Sequence, residues 1–216
     1  SDDMNIVAFA DGKRDDLLRT IFHEYVHLVI DNVSDGMPLW LNEGLAEYYS
    51  TFQVEAGGRG ALIGRAIPAH LELLTHQRHF PIPELLAIDA DSPSYNEGER
   101  QTLFYAQSWA LVHMLVSGTP NRSSLLEEYR RLVAGGTPAL AAWHQIFGDA
   151  PVARELQRYV GRDSLSAFRY RFKEGIPTVK SYSSRVSEGD AQAVLGDLLR
   201  RVAEADETSA RFEKAI

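Results

Sequence analysis

Apolar positions recur at helical spacing along most of the chain, broken by short stretches where strict alternation or turn residues take over. Residues 5–12, NIVAFADG, read as a short strand ending in a turn, and 13–32 have the length and apolar content of a buried helix. Turn-rich DNVSDG (31–36) follows, and Pro38 stands where a first helical residue is favoured, opening PLWLNEGLAEYYS as a second helix. The short connection makes these two helices neighbours. Apolar and β-branched runs on either side of GGRG predict a hairpin within 50–67. Helices are then expected from Pro68 to about His79, near Pro83 to Ile88, from about Glu97 to Ser117 with Gly118 as the stop, and over 122–134. Two more run from Thr137, as N-cap, to Phe147 and from Pro151 to Val160. AFRYRF (167–172) alternates aromatic with arginine or alanine, which predicts a strand with one buried face and its arginines in solvent. Ser-rich SYSSRVSEGD (181–190) reads as a linker, and the last 26 residues return to helix. The whole is an α+β fold, mainly helical, with a small β component.

Composition narrows the function classes. At 216 residues and 44% hydrophobic content the chain can bury a substantial core. Its 22 Lys plus Arg against 30 Asp plus Glu give a net charge of -8, which argues against non-specific binding of nucleic acid or anionic membranes. The longest apolar runs, such as WALVHMLV (109–116), fall short of the roughly 18 residues that span a bilayer, so no transmembrane segment is expected. Cysteine is absent, so any metal site must draw on His, Asp, Glu, backbone or water.

Against that background TIFHEYVHLVI (20–30) stands out, because it sets three titratable groups in an apolar run. On a helix, His23 and His27 lie about 40° apart in azimuth and about 6 Å apart in height, so both imidazoles can converge on one point. Glu24 falls to one side, where its carboxylate reaches a metal-held water without displacing it. Leu17, Leu18, Ile21, Phe22, Tyr25, Leu28 and Val29 occupy the other faces, predicting a helix packed nearly all round except along this stripe. A metal would satisfy groups that burial otherwise strands. Zn2+ favours a third protein ligand and one open position. On the second helix Leu41, Leu45, Tyr48 and Phe52 cluster on one side, while Glu43 and Glu47 share the other. Gly44 beside them costs helix propensity but permits close approach of another helix. Glu43 is therefore the candidate third ligand.

HEYVH, followed with fifteen residues between His27 and Glu43 by WLNEGLAEY, resembles the gluzincin (thermolysin-like) zinc peptidases, most closely the peptidase MA-like families. The resemblance spans about residues 5–175. It implies His23, His27 and Glu43 as zinc ligands, Glu24 as general base, and Glu47 as a partner behind the ligands that holds a histidine. YAQSWALVHML (105–115) is similar to the later helix whose tyrosine hydroxyl reaches the substrate carbonyl, which nominates Tyr105. His113 is expected as a packed core histidine, and His70, His76, His79 and His144 as surface or local capping groups. Two departures stand out. The Gly-x-Met-Glu-Asn segment with which the related aminopeptidases capture a free amine is replaced by IVAFADG, so exopeptidase specificity has no support. The sheet that usually precedes the zinc helix is nearly absent from this chain.

AVLGDLLRRVAEADETSARFEKAI resembles the start of a tetratricopeptide repeat, with Leu195 and Gly196 in one helix and Phe212 and Ala215 in the next. One repeat cannot bury its own apolar face. The expected organisation is thus a metallopeptidase domain over 1–180 and a truncated, tetratricopeptide-like helical hairpin over 187–216. The implied partners are a peptide or protein substrate and, through the repeats, a protein. The alternative reading is a non-catalytic scaffold in which the metal staples two helices and the repeats bind that protein.

Overall fold

A computed structural model describes residues 14–33, 36–96, 98–148, 151–176, 187–196 and 200. The chain divides into two compact units, Ser1–Ile176 and Pro177–Ile216. The described part of the first is mainly helical: α1 (Arg14–Val33), α2 (Leu39–Ser50), α3 (Pro68–His76), α4 (Ile82–Ala87), α5 (Pro93–Asn96), α6 (Gly98–Ser117), α7 (Ser123–Ala134), α8 (Ala139–Phe147) and α9 (Val152–Val160). A small antiparallel sheet completes it, in the order β1 (Gln53–Val54), β2 (Gly60–Ile63), β3 (Phe168–Arg171). In the second unit residues 188–196 are helical. The expected strand at 5–12 and most of the expected hairpin at 187–216 lie outside the described residues. No helix among the described residues is long and apolar enough to cross a membrane.

The core forms around α6. Every residue from Ala106 to Leu115 is buried, so this helix is enclosed on all faces, with α2, α3, α5, α7 and α9 against it. A stretch buried on every side has no solvent face to offer and takes the central position, with Gln107 and His113 hydrogen-bonded within it. Trp40 at the start of α2 is fully buried, donates its indole N–H to the Tyr129 hydroxyl at 3.2 Å and meets Trp143 edge-on, which fixes α2 to α7 and α8. His113 is the expected core histidine: it is fully buried, with Nε2 donating to the Gly64 carbonyl at 2.8 Å and Nδ1 2.7 Å from the Tyr159 hydroxyl. Burial holds its pKa down, so it is a neutral tie between α6, α9 and the turn after β2.

Gly44 is where α2 crosses α6. A β-carbon there would stand 2.6 Å from the Ser108 carbonyl oxygen and 2.7 Å from Val112 Cγ2, so only glycine permits this approach.

Four expectations need correction. Among the described side chains of α1 only Ile30 is buried, and Tyr25 and Val29 are 52% and 44% exposed, so the helix is not packed nearly all round. Among the described elements its main packing partner is α2, against which it turns one stripe. On its outer side Phe22, Tyr25, Val26 and Val29 form an apolar groove with Leu45 and Tyr49 of α2. β3 forms as expected and pairs Ile63 with Phe168 and Gly60 with Arg171, but all four of its residues are exposed, with Tyr170 at 60%. It is the edge of a three-stranded sheet with no buried aromatic face. Thr137 is not the N-cap of α8; Pro138 takes that position, and its carbonyl accepts the Ala142 N–H. Pro38 likewise stands at the N-cap of α2 rather than inside it.

Candidate metal centre

The two histidines reach one point because they are four residues apart on α1, and α2 brings Glu43 to the same point because Gly44 and the buried Trp40 set its depth. His23 Nε2 and His27 Nε2 lie 3.0 Å apart. Glu43 Oε2 stands 3.3 Å from the first and 3.4 Å from the second. The three ligand atoms form a compact triangle able to hold a metal ion. Glu43 is only 4% exposed, and its Oε2 is buried without a hydrogen bond. Leaving a buried carboxylate oxygen unpartnered is costly, and an ion at the centre of the triangle removes that cost.

The electrostatics of the metal-free chain agree with the geometry. Burial pushes Glu43 up, but the imidazoles of His23 and His27 in front of it outweigh burial and bring its pKa down to about 2. The Glu43 carboxylate raises His27 to about 9 against the opposing effect of burial, with Asn42 and Glu24 adding to the rise. A carboxylate that stays ionised is a standing negative ligand for a cation.

Next to the triangle one imidazole is oriented by a hydrogen bond. His27 Nδ1 donates to Asn42 Oδ1 at 3.0 Å, which turns its Nε2 towards the centre. Glu47 is buried at 8% exposure rather than lying on the surface. Its Oε1 is 3.6 Å from His23 Nδ1, an ion-pair distance and not a hydrogen bond, while Oε2 takes Arg19 at 3.2 Å and faces His70 Nε2 at 3.3 Å. Burial would raise Glu47, but His70, His23 and Arg19 outweigh it and hold it low.

His70 therefore departs from the expectation of a surface or capping group. It reaches in from α3, with its ring 5.6 Å from Trp109. The other three match that expectation: His76 and His79 bond the carbonyls of Glu72 and Leu74, and His144 is exposed.

Glu24 is exposed and outside the triangle, near enough to His27 to contribute to its raised pKa. Tyr105 projects from α6 with its ring 6.1 Å from that of His23. Burial, then a hydrogen bond with Tyr95, pushes its pKa far up, so the phenol keeps its proton. A cavity of about 360 Å³ opens beside His23, Glu47 and Tyr105, with Asp16, Arg19 and Thr20 on its α1 wall.

Asn42, His70 and Tyr95 are the neighbours that sequence reasoning missed. Asn42 had a signal, since it directly precedes Glu43. Tyr95 arrives from α5, and its hydroxyl donates to Glu43 Oε1 at 3.0 Å.

Among known proteins, the family model described as "Protein of unknown function (DUF1570)" matches residues 17–134, more than half of the chain and the stretch holding all three candidate ligands. No curated protein and no solved structure matches.

Proposed function

The chain belongs to the DUF1570 family, and we propose that it is a zinc-dependent hydrolase of peptide bonds, of gluzincin type. The observation that carries this reading is the ligand triangle. Atoms bonded to a tetrahedral zinc at about 2.0–2.1 Å lie about 3.3 Å from one another. The three edges here are 3.0, 3.3 and 3.4 Å. Three protein ligands leave a fourth position open, the pattern of a catalytic rather than a structural site.

Zinc bound there would supply a Lewis acid and a water acidic enough to ionise near neutral pH. Glu24, not a member of the triangle, accepts a proton from the attacking water at its carboxylate. The water oxygen bonds to the carbonyl carbon, the C–N bond breaks, and the proton held by Glu24 leaves on the amine nitrogen. Tyr105, protonated and beside His23, donates its hydroxyl to the carbonyl oxygen as negative charge develops. Asn42 keeps the Nδ1 proton of His27 in place, and Glu47 supports His23 from behind.

The test compares Glu24→Gln and Tyr105→Phe with the parent, measuring zinc content and the cleavage of N-blocked and unblocked peptide libraries. Glu24→Gln should keep its zinc and lose a factor of about 10² to 10⁴ in turnover. Tyr105→Phe should keep zinc and lose about 10² to 10³. Loss of zinc in Glu24→Gln, or turnover equal to the parent, overturns the assignment. A zinc-loaded parent that cleaves neither library favours the metal-stapled scaffold instead.

A further inference from the structure

We propose that Tyr95 is a positioning residue for the metal centre: its hydroxyl holds Oε1 of Glu43 and so leaves Oε2 as the one carboxylate oxygen offered to the ion. This rests on the reading of His23, His27 and Glu43 as zinc ligands. The two oxygens of a carboxylate are chemically equal, and a free glutamate presents either or both to a cation. In this site they are unequal. Oε1 accepts the Tyr95 hydroxyl at 3.0 Å, whereas Oε2 accepts nothing and lies 3.3 and 3.4 Å from the two imidazole nitrogens. The hydroxyl thus selects one-oxygen coordination and keeps the fourth position clear.

Tyr95 is itself well anchored. It sits on α5, in a loop braced by the hydrogen bond from Asn96 Nδ2 to the Ala90 carbonyl at 2.6 Å and by the Ser92 hydroxyl on Asp89 at 2.7 Å. Its ring meets Phe104 edge-on at 5.8 Å, and Phe104 is fully buried on α6. The donor therefore reaches Glu43 from an element separate from the two helices that carry the ligands. Outer partners of this kind typically change metal affinity by about 10- to 100-fold when removed.

A tyrosine that merely fills space would keep its role as phenylalanine, which the test exploits. Zinc affinity is measured by competition with a chromophoric chelator for the parent, Tyr95→Phe, Glu43→Ala and the double variant, and the visible spectrum is recorded after loading with Co²⁺. Tyr95→Phe should weaken zinc binding about 10- to 100-fold in the parent background. In the Glu43→Ala background it should change affinity less than about twofold, since the partner through which it acts is gone. The Co²⁺ bands of Tyr95→Phe should shift as the carboxylate coordinates through both oxygens, and melting of the chelator-treated protein should match the parent. Placing 4-aminophenylalanine at position 95, which retains a ring and an N–H donor, should restore most of the affinity and guards against a folding defect in the phenylalanine variant. Parent-like affinity and spectrum in Tyr95→Phe overturn the proposal, as does an equal loss in both backgrounds. If the parent binds zinc no better than Glu43→Ala, the metal reading itself falls, a result distinct from either of these.

Discussion

Replacing Gly44 by alanine tests whether the close crossing of α2 and α6 governs stability and the alignment of the site. The added β-carbon would meet the Ser108 carbonyl oxygen at 2.6 Å, Val112 Cγ2 at 2.7 Å and the Ser108 carbonyl carbon at 2.9 Å. Carbon contacts are comfortable at about 3.5–4.0 Å, so the helices must part by roughly 0.6–1.3 Å. Two of the three obstacles are backbone atoms of a fully enclosed helix and cannot rotate aside. Alanine regains about 1 kcal/mol of helix propensity. Overpacking costs about 1–3 kcal/mol, and the upper end applies where backbone must shift. The expected net loss is about 1–2 kcal/mol, or about 2–8 °C in melting temperature for a chain of this size. Because α1 rides on α2, the ligand triangle moves as a unit while Tyr105 stays on α6, so on the proposed peptidase reading turnover should fall by about tenfold or more through misalignment alone. Thermal melts in chelator and peptide turnover in zinc measure the two effects. A Gly44→Ala protein that melts at or above the parent would refute the reasoning, because propensity would then have outweighed the clash.

Two further expectations concern charge and burial. His27 has its pKa raised from 6.5 to about 9 in the metal-free chain, so its contribution to stability is complete below pH 6.5 and is lost as pH rises through 9. Glu43, lowered from 4.5 to about 2, contributes above pH 4.5 and loses its contribution as pH falls through 2. The melting-temperature difference between chelator-treated parent and Glu43→Gln should therefore be greatest between pH 4.5 and 6.5 and shrink towards pH 9; a difference that grows over that upper range contradicts the pairing. His113→Leu removes the buried donor to the Gly64 carbonyl and leaves the Tyr159 hydroxyl only its 3.4 Å bond to the carbonyl of residue 113, so urea denaturation should show a loss of about 1–3 kcal/mol.

The long helices were legible because apolar periodicity, Pro38 at the start of α2 and Gly118 at the end of α6 act over a few neighbouring residues. α5 was not, since four residues carry no period. For β3 and α1 the error had a common form: alternation at 167–172 and apolar residues around α1 say that faces differ, not that anything covers them. The triangle was legible for a related reason. His23 and His27 share one helix face, and Glu43 lies on the next helix after a short connection, so local geometry almost suffices. His70 and Tyr95 come from α3 and α5, and their approach to Glu47 and Glu43 depends on how those elements dock on α6, which no local pattern encodes.

The partial burial of α1 has a consequence for how long the protein survives. Glu43 is buried on α2, whereas both histidines ride on a helix with one buried side chain among those described. An ion held between them would tie a partly exposed helix to a buried one. By mass action, free metal at 100 times its dissociation constant makes opening of that helix about 2.7 kcal/mol harder, roughly a hundredfold fewer open molecules. Backbone amides of residues 20–30 would then exchange with solvent about a hundredfold more slowly when loaded, while those of α6 would not change. Proteases that cut the opened segment would read the same ratio, so metal supply would set the lifetime of this chain as well as its chemistry.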